Sequence, residues 1–286
     1  MTRFSDEIYL EDYITASINS VELIPLTYYR PGGLALTIYV YSGEKGCFSC
    51  PWKEYYGSRK SFDLRDISIT KIIKRYNELR PDLLFFSGGD LLSKKTGADL
   101  IVALKKYGVD IGVKHNASMV ISDRSVFENL DAILIEVNSL TDLGKISRLI
   151  ESIKKSTYIE ILVDDIGENI SERLLFTVWV KDLCRLGSFA IGFYMADKSE
   201  RFIESYSSLL QKFCENKYYV ITSHHKYIPE TINCLYCGAS VGRRIDGVVI
   251  KKLVNDDKCP KCGSKIFFGG EVKRISRKII FTRIII

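Results

Sequence analysis

Short, almost wholly apolar runs alternate along this chain with longer stretches whose apolar residues recur every three or four positions. Runs at 34–41, 82–86, 109–114, 132–137, 158–163, 189–195 and 218–222 predict seven strands, rich in β-branched and aromatic residues. Stretches at 66–79, 97–107, 123–129, 142–154, 171–186 and 200–216 carry helical spacing, and the first stops before Pro81. Short apolar strands separated by amphipathic helices imply parallel strands with both faces covered, hence an α/β fold built as a barrel or an open sheet. In either, functional residues collect on the loops that follow the strands.

Outside this alternation lie two stretches of different character. Residues 1–33 mix acidic and aromatic residues and end in Pro25, Pro31, Gly32 and Gly33, which interrupt regular structure; they predict a lead-in segment before a domain over 34–225. Residues 226–286 contain Cys234-Leu-Tyr-Cys237-Gly and Cys259-Pro-Lys-Cys262-Gly. Each half suits a tight knuckle in which glycine lets backbone amides point at the thiolates, and two knuckles at this spacing suit a closed, tetrahedral, structural zinc ribbon. Two disulfides are the alternative, but no signal-peptide pattern points to an oxidising compartment. With no apolar run near the roughly 20 residues that span a bilayer, a cytoplasmic protein without membrane contact is expected.

Composition adds one thing. The chain is 46% hydrophobic and 27% charged, as folded proteins are, yet its net charge of +6 is uneven. From Lys226 to Ile286 there are thirteen Lys or Arg against five Asp or Glu, a net +8 that leaves −2 for the rest. A basic ribbon and tail suggest an acidic partner such as RNA or the ribosome, or a protein partner, with a merely solvated surface as the alternative. The tail from Lys273 onward is expected to form an added strand, in the ribbon's own sheet or as a contact arm.

Three groups with chemical potential fall just after predicted strands. Cys47-Phe-Ser-Cys50 has the spacing for two thiolates to reach one metal or iron-sulfur centre, or for a redox dithiol. Ser87-Gly88-Gly89-Asp90 would set backbone amides beside a carboxylate, and His115-Asn116 closes the third strand. Glu160, Asp164 and Asp165 form an acidic group expected on the rim, His224-His225 an exposed hinge, and Cys184 and Cys214 buried thiols.

Taken in order, these residues resemble the radical S-adenosylmethionine (SAM) proteins, in particular the AmmeMemoRadiSam group similar to pyruvate formate-lyase activating enzyme. The matching features are Pro25-Leu-Thr-Tyr-Tyr-Arg-Pro31-Gly32, the Ser-Gly-Gly-Asp turn, His115-Asn116-Ala117, Leu130-Asp131-Ala132 and the paired cysteine knuckles, spanning about residues 21–270. The resemblance implies a partial (β/α) barrel with a small C-terminal four-cysteine zinc ribbon. It further implies SAM held by Gly88, Gly89, Asp90 and Asn116, and a [4Fe-4S] cluster on Cys47 and Cys50. The family's CxxxCxxC motif is incomplete, however, because its first position falls on Gly43; Ser49 replaces the usual aromatic, and Asp90-Leu91 replaces Glu-Pro. Two expectations follow. One is a scaffold that has lost cluster chemistry and binds a partner through its basic ribbon. The other is an active radical SAM enzyme that cleaves SAM to a 5′-deoxyadenosyl radical.

Overall fold

The computed structural model describes residues 8–21, 24, 26, 28–30, 32–41, 64–89, 91–137, 143–153, 156–164, 170–186, 190–194, 218–221, 231–234, 237–245, 248–252, 258–264 and 282–286, and the structural statements below concern these. The seven apolar runs form seven parallel strands: β2 (Leu34–Val40), β4 (Leu83–Gly88), β5 (Ile111–Asn116), β6 (Ala132–Val137), β7 (Tyr158–Asp164), β8 (Ala190–Tyr194) and β9 (Tyr218–Ile221). They lie side by side in chain order, without the reversal that marks a doubly wound sheet. Helices α1 (Ile69–Leu79), α2 (Lys95–Lys105), α3 (Leu143–Ser152) and α4 (Ile170–Leu186) lie between strands. Residues 124–129, expected as a helix, make a 3-10 segment capped by the Asp123 carboxylate, which accepts from the Ser125 amide.

Unreversed order with right-handed crossovers sends every helix to one side of a sheet, and the core divides accordingly. On the outer face Leu36, Ile38, Leu84, Phe86, Ile133, Ile135, Ile159 and Ile161 pack with helix residues such as Ile72, Leu100, Leu104, Ile146, Phe176 and Trp179. On the inner face Ala35, Leu83, Phe85, Ala132, Leu134, Tyr158, Leu162 and Ala190 pack with one another and, among the described residues, with none from a helix of the sheet's other side. Their cover consists of Val21, Ile24, Leu26, Tyr28 and Tyr29 from the lead-in, together with Cys234, Val241 and Cys259. The alternation along each strand, period two, is what sends neighbouring residues to these separate layers.

Two expectations need correction. The lead-in contains a twelve-residue strand, β1 (Tyr9–Ser20), which pairs antiparallel with β2. Its alternation is hidden in the sequence because the inner positions Thr15, Ser17 and Asn19 are polar and because the register shifts between Leu10 and Tyr13, where Asp12 has φ 56, and again between Tyr13 and Thr15. Along the far side of β1 run β3 (Arg65–Ser68), at the place expected to open the first helix, and β13 (Thr282–Ile284). The end of the basic tail thus extends the main sheet rather than the ribbon's own, which among the described residues has three strands: β10 (Thr231–Asn233), β11 (Ser240–Ile245) and β12 (Val248–Lys252). It is held there because Ile284 and Ile286 pack on the outer core and the Arg75 guanidinium donates to the Ile285 carbonyl at 2.7 and 3.1 Å.

Candidate metal centre

The two cysteine knuckles repeat one local design. In the first, the Gly238 amide donates to the Cys234 carbonyl and the Cys234 amide to the Ala239 carbonyl; in the second, Gly263 donates to Cys259 and Cys259 to Ser264. Gly238 and Gly263 sit at φ 71 and 69, the left-handed region where a side chain is strained, so glycine is required at both turns.

Together the turns bring four sulfurs within 4.8 Å of one another. Cys234 Sγ lies 3.8 Å from Cys262 Sγ, and Cys237 Sγ lies 3.5 Å from Cys259 Sγ. A tetrahedral ion with metal–sulfur bonds of about 2.3 Å needs sulfurs about 3.8 Å apart, so the group fits a metal ion. The local field favours the thiolate form at Cys259 and Cys262. Cys262 is brought down to about 6 by the Ser264 hydroxyl and amide. Cys259 is lowered by amides of Cys262 and Lys261, whereas Cys237 is raised despite its bond from Ala239, as burial and hydrogen bonds with Cys259 and Cys262 outweigh it.

The centre is asymmetric. Cys234 and Cys259 are buried at 1% and 2% exposure and belong to the inner core, while Cys237 is half-buried and Cys262 exposed. Lys258 and Lys261, close to Cys262 in sequence, are exposed, as is Arg243 on β11.

The second candidate site is the carboxyl-terminal half of the inner face. Gly88 and Asn116 end the adjacent strands β4 and β5. The Gly89 amide donates to the Val40 carbonyl, tying β4 to β2, and the Asn116 side chain accepts from the Ser118 amide and hydroxyl. His115 is buried at 1% exposure and takes the outward register of Ile111 and Val113, as a structural histidine would. Cys47, Cys50, Asp90, Asp165, His224, His225 and Cys214, and the side chain of Cys184, lie outside the described residues.

Glu160 is not on the rim. It is fully buried on the inner face, where it accepts from the Tyr158 hydroxyl at 2.7 Å. One strand over, fully buried Glu136 pairs with Lys114 at 2.8 Å, a pair that the apolar run of β6 hid by carrying a single carboxylate among aliphatic residues. Towards β1 the polar strip continues: Ser17 and Thr37 hydroxyls both donate to Asn19 Oδ1, at 2.9 and 3.0 Å, and Arg283 Nε donates to Thr15 Oγ1. Asp131, by contrast, is structural, accepting from the Ile111 amide and pairing with Lys105 at the amino end of the sheet.

No described helix is long and apolar enough to cross a membrane. Fold and site together define an α/β protein, with a largely parallel sheet and a four-cysteine group placed to bind a metal ion. No protein-family model matches the chain, and no curated protein matches it.

Proposed function

We propose that this is a radical-SAM-like protein, a partial (β/α) barrel without cluster chemistry, which serves as a binding scaffold. Its four-cysteine module holds zinc, the metal to which a closed four-thiolate set is suited, and its basic outer surface contacts RNA. The observation that carries the reading is the two-sided character of the module. Cys234, Val241 and Cys259 face the core, whereas Arg243, Lys258 and Lys261 stand exposed. The test is fluorescence anisotropy with short single-stranded RNA. Affinity is expected to fall with salt at a logarithmic slope of about −2, as three phosphate contacts imply, and to drop about tenfold or more when the three cations become glutamate. Salt-independent binding, or full binding by the triple variant, would count against RNA and leave the ribosome's proteins or another protein partner as the acidic surface to examine.

A second reading, an active radical SAM enzyme, is favoured by the polar inner face beneath Gly88 and Asn116, because buried charges such as Glu136 are costly unless they serve a purpose. Metal analysis of anaerobically purified protein separates the two readings. About one zinc without iron fits the scaffold, and about four irons beside the zinc, with 5′-deoxyadenosine formed from SAM, fits the enzyme.

A further inference from the structure

A zinc ribbon at the end of a chain is ordinarily a separate small unit, stable or unstable on its own account. Here the two inner thiolates are part of the wall of another core. Cys234 and Cys259, with Val241 between them in sequence, join Leu83, Phe85, Ala132, Leu134, Tyr158, Leu162 and Ala190 of four main-sheet strands in one continuous apolar layer. The lead-in completes that layer, its Tyr29 ring standing 5.3 Å from that of Tyr158.

Nor does the module hang from one end. The chain enters it from β9, one margin of the main sheet's strand order, and leaves it for β13, the other margin. The exit is fastened by the pairing of Ala16, Ser17 and Ile18 with Ile284, Arg283 and Thr282, by Arg75 on the Ile285 carbonyl and by Arg283 on Thr15. Both flanks of the four-cysteine group are therefore strands of the same sheet whose inner face the group covers.

We propose that the metal is the keystone of the main sheet's inner core, so that metal occupancy controls the stability of the whole (β/α) body and not of the ribbon alone. The inference rests on the metal reading given above. Without an ion the four sulfurs lose the bonds that hold the two knuckles together, and the two that face inward are part of the cover of Phe85, Leu134 and Tyr158. Metal binding energy thus becomes folding energy of the sheet. Cys262 is the position to test, because its side chain is exposed and contributes a ligand without contributing to the apolar layer.

The experiment uses the full chain and two signals. Cobalt(II) absorbance reports the thiolate site, and the far-UV helix signal reports the main body, since the described helices all lie between sheet strands and the module's described elements are strands. Removing zinc from the wild-type chain with a chelator, or substituting Cys262→Ser, is expected to lower the melting temperature of the helix signal by about 5 °C or more. Restoring zinc is expected to reverse the chelator's effect. If cobalt binds and is released but the helix transition stays where it was, the keystone proposal is overturned while the metal site stands. If the chain carries no zinc and gives no cobalt-thiolate absorbance, the metal reading itself fails and takes the proposal with it.

Discussion

Lys114 and Glu136 show what the inner face demands of single residues. The carboxylate is fully buried and the lysine nearly so, at 13% side-chain exposure, so removing one partner breaks an ion pair in a poorly solvated place. Lys114→Met is expected to destabilise the fold by about 3 kcal/mol. Adding Glu136→Leu to it should recover most of that loss, as urea midpoints of the single and double variants would show. A different behaviour belongs to Cys262, whose thiol is lowered to about 6 by Ser264. Its depressed value favours the folded metal-free module above the ordinary thiol range near 8.5, an advantage lost as pH falls through about 6. Iodoacetamide should therefore label Cys262 of the metal-free protein rapidly at neutral pH and slow down below about pH 6, with buried Cys234 and Cys259 labelled last. Peptide mapping by mass spectrometry reads all four sites at once.

At the level of elements, β1 lies between β2 on one side and β3 and β13 on the other, so both of its edges are paired. Without β3 and β13 its outer backbone groups would form an unpaired edge beside an apolar core, a template for association. Deleting residues 282–286 removes three paired positions, the Arg75 contact and the packing of Ile284 and Ile286. The truncated chain is expected to melt about 3–5 °C lower and to self-associate, as thermal scans and light scattering would detect. An unchanged monomer of unchanged stability would mean that the terminal strand is ornamental. The helices illustrate how much local chemistry can be read directly. α1 ends at Arg80, left-handed at φ 48 with its amide on the Tyr76 carbonyl, because Pro81 disfavours a further helical turn. β1 illustrates the limit: its inward residues are hydroxyls and an amide, so nothing in their hydropathy announces a strand.

For the whole molecule, linkage works in both directions. If the metal steadies the sheet, the sheet must steady the metal, and a fragment of residues 226–286 alone should bind cobalt about tenfold more weakly than the full chain. Equal affinities, by titration of the cobalt-thiolate absorbance, would mark the module as self-sufficient. Local patterns along the chain suffice for the seven parallel strands, the α/β class and a four-cysteine group able to hold a metal ion, because these depend on near-neighbour spacing: period two, period three to four, and two residues between thiols. Long-range packing sets the rest: Glu160 is buried rather than at the rim, the tail pairs with β1, and the cysteine module lines the sheet's inner face. Those outcomes depend on which surfaces lack a cover. A sheet wound in one direction leaves a whole face without helices, and the residues that close it come from the two ends of the chain, too far apart in sequence for any local pattern to join them.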